Sequence, residues 1–352
     1  MAKTYAEHSY AGAQMLRPIV KKHIQDKALS DFGIFVDTTT DNAYEWTFVE
    51  VGDAYIYPFT GGFQGGASSK LTDKGVKLVE FKKEASYTRK KYQQRIQRKL
   101  LRTGATMEDI SGTELARMEM ELHMAGVRAG VYKSFWLGDT AKLHTKAGKY
   151  NPNDASTAYV IGDADKRYNN TDGIWKEITT RQSVDNVPRL ALSGTGASTT
   201  LIDNGELTDD AAKEIFKQLY VNASDELKSL YDQGLANFYV TGNMILNYQE
   251  TLEGDGTEAA HSKLINGVNR FLYRGLPMHN MLISGSIKAD FANVMPFRAC
   301  LTVPENLGMV LGLGSFAESV FWFNKDANEN RQRTQWEMEH CFLDPKYLSV
   351  AY

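Results

Sequence analysis

Trp46-Thr47-Phe48-Val49-Glu50-Val51 and Asp53-Ala54-Tyr55-Ile56-Tyr57, followed after Pro58 by Thr60-Gly61-Gly62-Phe63-Gln64-Gly65-Gly66-Ala67-Ser68-Ser69, decide how this chain is read. The first two runs are rich in β-branched and aromatic residues, the composition of strands. The third holds four glycines among small polar side chains and has nothing from which to build a core, so it reads as a tip. Val76-Lys77-Leu78-Val79-Glu80-Phe81 then returns with strand character. Residues 46–84 are therefore expected to form a long two-stranded excursion with a glycine-rich end. A lone hairpin of that length is marginal in water unless its faces or edges meet something else. No third strand is evident nearby in the sequence, so the expected partner is another chain.

The excursion is flanked by two unusual segments. Ahead of it, Ala11-Gly12-Ala13-Gln14-Met15-Leu16-Arg17 is a helical run broken by Pro18 and resumed at Ile19-Val20-Lys21-Lys22-His23-Ile24, the pattern of an arm lying on something. Phe32-Gly33-Ile34-Phe35-Val36 is the first strand-like run. Behind the excursion, 82–102 carries Lys82, Lys83, Arg89, Lys90, Lys91, Arg95, Arg98, Lys99 and Arg102 against the single acid Glu84, a local charge of +8 in a chain whose total is −3. Clustered Lys and Arg release counterions from nucleic acid, so Arg89, Lys90, Lys91, Arg95, Arg98 and Lys99 are candidates for non-specific contact with DNA, or for pairing with a neighbouring subunit. The strip has no recognition-helix signature, and the overall charge of −3 argues against a surface given over to nucleic acid.

Ser111-Gly112-Thr113-Glu114 is a capping box that opens a helix over 113–136. Leu115, Met118, Leu122, Ala125 and Ala129 recur at helical spacing and are expected to face a core. Met118, Met120 and Met124 near His123 read as packing rather than as a soft metal site. From Thr140 to Asn204 turn clusters dominate, and this stretch reads as loop-rich. Thr208-Asp209-Asp210 is expected to cap a helix with the stripe Ala212, Ile215, Phe216 and Leu219. Ser224 starts another, which ends at Gly234, a left-handed cap. Strand Asn237-Phe238-Tyr239-Val240-Thr241 follows, then Met244-Ile245-Leu246. The last third reads as strand and turn: Leu282-Ile283, Ala299-Cys300-Leu301-Thr302-Val303-Pro304, Met309-Val310-Leu311, Val320-Phe321-Trp322-Phe323 and a final run that keeps the terminus in a sheet. With no regular strand–helix alternation, the class is α+β.

The 352 residues are 42% hydrophobic and 24% charged, which excludes disordered and collagen-like chains. No stretch approaches the ~18 apolar residues of a membrane span and no apolar signal core opens the chain, so a soluble protein made in the cytoplasm is expected. Cys300 and Cys341 fit buried thiols in a reducing compartment better than a disulfide framework. Motifs for a phosphate-binding P-loop, a zinc protease, a nucleophile elbow or an EF-hand are absent. Gly312-Leu313-Gly314-Ser315-Phe316-Ala317 matches GxGxxA on paper, but no helical pattern follows it and too little chain remains for a dinucleotide-binding half. The histidines have neither ligand nor triad spacing. The sequence gives no catalytic residue, cofactor or metal.

This order of features resembles the major capsid proteins of tailed bacteriophages, the HK97-type fold. The local likeness lies in Arg270-Phe271-Leu272-Tyr273-Arg274-Gly275-Leu276-Pro277-Met278, in Ala299-Cys300-Leu301-Thr302-Val303-Pro304-Glu305-Asn306-Leu307, in Val320-Phe321-Trp322-Phe323-Asn324-Lys325 and in the run from Trp336 to Tyr352. The resemblance implies an N-terminal arm and first strands over 1–45 and an extended loop over 46–92 lying across a neighbouring subunit. It further implies a peripheral domain over 93–144 with its spine helix, an axial domain over 145–318, and strands returning to the peripheral domain over 319–352. Tyr57, Phe59, Phe63, Lys70 and Lys74 would then make inter-subunit contacts. Some relatives cross-link a loop lysine to an asparagine of another subunit; Lys70, Lys74 and Lys77 lie in that region, but no motif carries the chemistry over. The implied function is self-assembly into hexamers and pentamers of an icosahedral shell around double-stranded DNA. Neighbouring capsomers, scaffolding, portal and decoration proteins would be the partners, the virion capsid the location, and the bacterial host cytoplasm the place of assembly. Two alternatives stand beside it: an encapsulin-like shell holding cargo protein, and a nucleotide-binding enzyme centred on Gly312–Ala317.

Overall fold

The run Glu329–Phe342 alternates along its 14 residues, burying Asn330, Gln332, Thr334, Trp336, Met338 and His340 on one face. This period of two makes it a long strand, and the first sheet is built on it. The computed structural model describes residues 34–40, 43–50, 70–88, 114–140, 170–192, 201–203, 206–255, 262–265, 268–281, 297–313, 320–327 and 329–352. In chain order the elements begin β1 Phe35–Thr39, β2 Ala43–Glu50, β3 Lys70–Lys77, β4 Val79–Thr88, α1 Glu114–Leu137 and α2 Ile174–Arg181. They continue β5 Arg189–Leu190, β6 Ile202–Asp203, β7 Glu206–Leu207, α3 Ala211–Val221, α4 Asp225–Asp232, β8 Asn237–Val240 and α5 Gly242–Gly254. The remainder are β9 Ser262–Ile265, β10 Val268–Tyr273, β11 Leu276–Asn280, β12 Ala299–Thr302, β13 Leu307–Gly312, β14 Val320–Asn324, β15 Glu329–Phe342 and β16 Leu348–Ala351.

In the first, five-stranded sheet, β15 carries β4 along one edge, from Glu329↔Thr88 to Met338↔Val79. Its other edge carries β14 beside Glu329–Arg333 and β13 beside Met338–Phe342, with β1 parallel to β13 beyond. The returning limb of the excursion thus crosses at Leu78 from the β2–β3 hairpin into this sheet. The third strand not evident in the local sequence exists after all: it is β15, placed some 250 residues along the chain, with Arg333 reaching Glu84 at 2.9 Å across a separation of 249. Within the excursion β2 and β3 stand as a two-stranded ribbon; β6 and β7 form another two-stranded pair.

Helix α1 lies on the buried face of this sheet through Met120, Met124, Val127, Val131 and Phe135. Of the expected stripe, Ala125 is exposed, and the side chains of Leu115, Met118, Leu122 and Ala129 lie outside the described ones. Both stripes are apolar and about half a turn of the helix wheel apart, so spacing alone does not say which meets the sheet. His123 belongs to the buried stripe, with Nε2 3.1 Å from Thr334 Oγ1. Lys83, counted among the basic strip, is half-buried on β4 and donates to the His123 carbonyl at 3.1 Å. Burial lowers its pKa.

The second sheet has seven strands in the order β5-β16-β12-β8-β11-β10-β9. Both faces of its centre are covered, which is why Ala299–Thr302 and Leu348–Ala351 read as unbroken apolar or small runs. Phe238, Val240, Ala299, Leu301 and Ala351 face α3, α4 and α5. Tyr239, Cys300, Leu348 and Val350 face the first core, where Trp136 from the end of α1 meets Tyr239 at 6.0 Å. Both cysteines are buried free thiols. The terminal strand is ordered in a sheet, as expected, and the segment 319–352 supplies β14 and β15 to the first sheet but β16 to the second.

Two details of the helical layer differ from expectation. Asp210 precedes α3 in a left-handed conformation with no side-chain cap, and Asn247 of α5 caps instead, accepting from Ala212 N–H at 2.9 Å and donating to Thr208 C=O at 3.0 Å. Met244-Ile245-Leu246 belongs to α5 rather than to a strand. Ser224 does cap its helix, accepting from Leu227 N–H at 3.1 Å, and Gly234 ends it with φ +76°.

Besides the long passage from β4 through α1 and α2 to β5, the chain crosses between the sheets by two short segments, 303–306 and 343–347, and one side chain ties these two together. Asn306 Nδ2 lies within donating distance of Thr302 Oγ1 (3.1 Å), Asp344 C=O (3.0 Å) and Tyr347 C=O (3.3 Å). Its Oδ1 accepts from Asp344 N–H at 2.8 Å, and Thr302 Oγ1 donates to Tyr347 C=O at 2.6 Å. Replacing Asn306 with Ala leaves these buried groups unmatched and should cost about 2 kcal/mol or more. Urea unfolding measures this, and wild-type stability in the variant would contradict the role given to Asn306.

Candidate assembly surface and the cleft at its root

The β2–β3 ribbon is in register from Ala43↔Lys77 to Glu50↔Lys70. Its inward positions are Tyr44, Trp46, Lys74 and Val76; Glu45, Asp73 and Lys77 point away and are exposed. Trp46 seats the ribbon by packing with Leu78, Val310 and Cys341. Gly308 permits this, because a Cβ there would stand 3.0 Å from the Trp46 ring. Tyr44 meets the same indole edge-on at 5.1 Å, and its hydroxyl donates to Asp37 on β1. Burial pushes the Cys341 thiol up to about 12, so this sulfur is packing and not a nucleophile.

A second anchor is polar. Glu177 on α2 accepts through Oε1 from Lys74 at 3.1 Å and Arg181 at 2.8 Å, and through Oε2 from the Phe342 N–H at 3.0 Å. Arg181 also pairs with Asp185 at 2.5 Å and stacks its guanidinium over Phe342 at 4.2 Å. One carboxylate thereby ties β3, α2 and the end of β15. Helix α2 is held against the end of α1 by contact between backbones: Gly173 N–H donates to Gly138 C=O at 2.8 Å. A Cβ on Gly138 would come within 2.2 Å of the Thr171 carbonyl, so only glycine fits.

Beside this anchor opens a cleft of about 330 Å³ lined by Val79, Thr140, Thr171, Asp172, Glu177, Glu339 and His340 among others. Asp172 Oδ1 accepts from Thr140 N–H and Oγ1, each at 2.7 Å. Glu339 Oε1 accepts from Thr171 Oγ1 at 2.6 Å and from the His340 N–H at 3.0 Å. Burial raises the Glu339 pKa from 4.5 to about 7, against the pull of those two hydrogen bonds. Burial lowers His340 to about 4, and likewise His123, so both rings are neutral near pH 7. Among the described residues no group of three or more His, Cys, Asp or Glu is placed to hold a metal ion.

Of the residues singled out in the sequence, Lys74 faces its own chain. Lys70 opens β3, and Tyr57, Phe59, Phe63, Arg89, Lys90, Lys91, Arg95, Arg98 and Lys99 lie outside the described residues. Gly312 ends β13 and Leu313 N–H donates to Thr39 C=O at 2.5 Å; the next described element is strand β14, not a phosphate-facing helix. Glu177 and Glu339 were missed. The signal for Glu177 was the apolar pattern Ile174, Trp175, Ile178 after Asp172-Gly173, a short helix start inside a stretch read as loop. No helix of the described residues is long and apolar enough to cross a membrane.

No family model matches the sequence, and no curated protein matches it. Solved structures do. A chain of the satellite phage P4 procapsid, a structure that includes its size determination (Sid) protein, superposes with a TM-score of 0.55 at 11% identity over 96% of this chain and 98% of that one. The capsid of an empty GTA particle gives 0.45 at 8% identity over 92% and 90%. The holo-SrpI encapsulin complex of Synechococcus elongatus PCC 7942 gives 0.42 at 9% identity over 90% and 84%. The chain therefore has the fold of a phage procapsid chain along nearly its whole length, which bears out the resemblance read from the sequence at the level of fold.

Replacing Glu177 with Ala leaves Lys74 and the Phe342 N–H without this acceptor, and Arg181 with Asp185 alone, and should destabilise the chain by roughly 1–3 kcal/mol. Hydrogen exchange should quicken first in β3. Unchanged protection there would show that the ribbon is not anchored through this carboxylate.

Proposed function

We propose that this chain is the structural subunit of an icosahedral shell of the tailed-bacteriophage major capsid type, and that its working surface is its contact with copies of itself. The observation that carries the reading is end-to-end agreement in fold with the P4 procapsid chain, at 96% and 98% coverage. The ribbon supports it: β2 and β3 leave the body firmly rooted by Trp46 and Glu177, as an element that must transmit force to a neighbour requires. Catalysis is no part of this function.

In this reading 46–92 is the extended loop, with Tyr57, Phe59, Phe63 and Lys70 directed to the adjoining subunit. Lys74 is its internal anchor. The first sheet with α1 is the peripheral unit, and the second sheet with α3, α4 and α5 is the axial unit. The domain boundaries then follow the crossings at 303–306 and 343–347, so β13 joins the peripheral unit and β16 the axial one. Hexamers and pentamers enclose double-stranded DNA, with Arg89, Lys90, Lys91, Arg95, Arg98 and Lys99 facing DNA or a neighbour. Scaffolding, portal and decoration proteins act as partners, and the shell is assembled in the bacterial cytoplasm.

Deleting 60–69 should leave the unfolding midpoint of the dissociated chain close to wild type while abolishing particles in sedimentation velocity. Particles of normal sedimentation from the deletion variant would remove the loop tip from the interface.

A further inference from the structure

We infer that the free edge of β14 is an acceptor strand for a second copy of this chain, which adds residues 53–57 there by backbone pairing. The inference rests on the shell reading above and names the contact through which the loop holds its neighbour. In the first sheet β13 and β14 lie end to end in one lane, both antiparallel to β15. The next lane is filled only beside β13, by β1, which stops at Thr39↔Gly312. Among the described residues no strand lies beyond β14, so a notch five residues long, about 17 Å, opens beside Val320–Asn324.

This edge differs from the others in its side chains. Proteins keep sheet edges from pairing with foreign strands by placing charges on them. The other outer strands of the two sheets follow that rule: β4 carries Lys82, Lys83 and Glu84, β1 Asp37, β5 Arg189 and β9 Lys263. Val320-Phe321-Trp322-Phe323-Asn324 carries no charge. Phe321 is buried in the first core, whereas Trp322 and Phe323 are only partly covered, and the Arg333 guanidinium stands 5.9 Å from the Trp322 ring. The end of the strand is fixed as well, since Asn324 Oδ1 accepts from the Asp326 and Ala327 N–H groups at 3.0 and 3.1 Å. An uncharged, aromatic and preordered edge suits strand addition, in which main-chain bonds supply affinity and alternate side chains the fit.

The chain carries a matching strand. Asp53-Ala54-Tyr55-Ile56-Tyr57 has the length of β14, a strand-forming composition and no charge after its first residue. Its tyrosines alternate, as cross-strand pairing with Trp322 or with Phe321 and Phe323 requires. It follows β2 past the last ribbon pair, Glu50↔Lys70. Its own β14 is in the wrong place. The ribbon is rooted where Trp46 meets Cys341 and Lys74 meets Glu177, whereas β14 flanks Glu329–Arg333. From Cys341 to Arg331 along β15 is about 33 Å at 3.3 Å per residue. Going back from Val79, opposite Met338, to Lys74, which shares Glu177 with the Phe342 N–H, the chain runs toward the far end of β15. The loop therefore leaves on the side away from its own notch, and a neighbour's notch is the one it fits.

The test is photo-crosslinking in assembled full-length protein with Trp322 replaced by benzoylphenylalanine, prepared from an equal mixture of unlabelled and heavy-isotope chains. Peptides joining position 322 to 51–58 should include pairs with one partner from each kind of chain. Cross-links confined to single chains, or landing on another segment of the copy, overturn the proposal. Val320, on the same edge, takes the label if the first variant does not fold. Independently, Trp322→Lys charges the edge and should lower particle yield by about tenfold or more, with the unfolding midpoint of the dissociated chain close to wild type. Normal yield overturns the proposal as well. Particles that lack the cross-link remove this contact and leave the shell reading standing, whereas a wild-type chain that forms no particles removes both.

Discussion

The structure depends on how the chain passes between two sheets that share no strand. A buried crossing leaves backbone groups away from water without a ladder partner, and each must find one. Asn306 meets this need for both short crossings at once, because an amide offers two donors and an acceptor from one small side chain. With the crossings fixed, β13 and β15 are held to the first sheet and β12 and β16 to the second. Trp136 then fills the space between them against Tyr239. The sheets share one core face, so neither is complete alone.

From that frame the ribbon inherits its position. Its apolar anchor, Trp46, packs on Val310 of β13 and Cys341 of β15, both within a few residues of the crossings. Its polar anchor joins Lys74 to α2 and to the Phe342 N–H at the end of β15. A two-stranded element with no sheet of its own is thus carried by residues whose placement the Asn306 junction determines. On the proposed reading of the chain as a shell subunit, this would couple the ribbon to the relation between the two sheets.

What was legible in the sequence was local. The stripe Ala212, Ile215, Phe216 and Leu219, the Ser224 cap, the Gly234 turn and the apolar runs at 299–302 and 309–311 depend on neighbours within a few positions. What was not legible was distant or degenerate. β4 finds β15 far along the chain, Asn247 caps a helix 35 residues before it, and α1 offers two apolar stripes of which only packing selects one. Glu177 and Glu339 were invisible for the same reason: a carboxylate in a sequence has no partner until the fold supplies Lys74 and Arg181, or withholds them.

The central claim is that this subunit works by binding copies of itself. Electron microscopy of the purified full-length protein across concentration and salt tests it most directly. The account predicts closed shells, sheets or hexameric and pentameric rings, with nucleic acid rather than cargo protein inside closed particles recovered from cells. A compact monomer under every condition would contradict it.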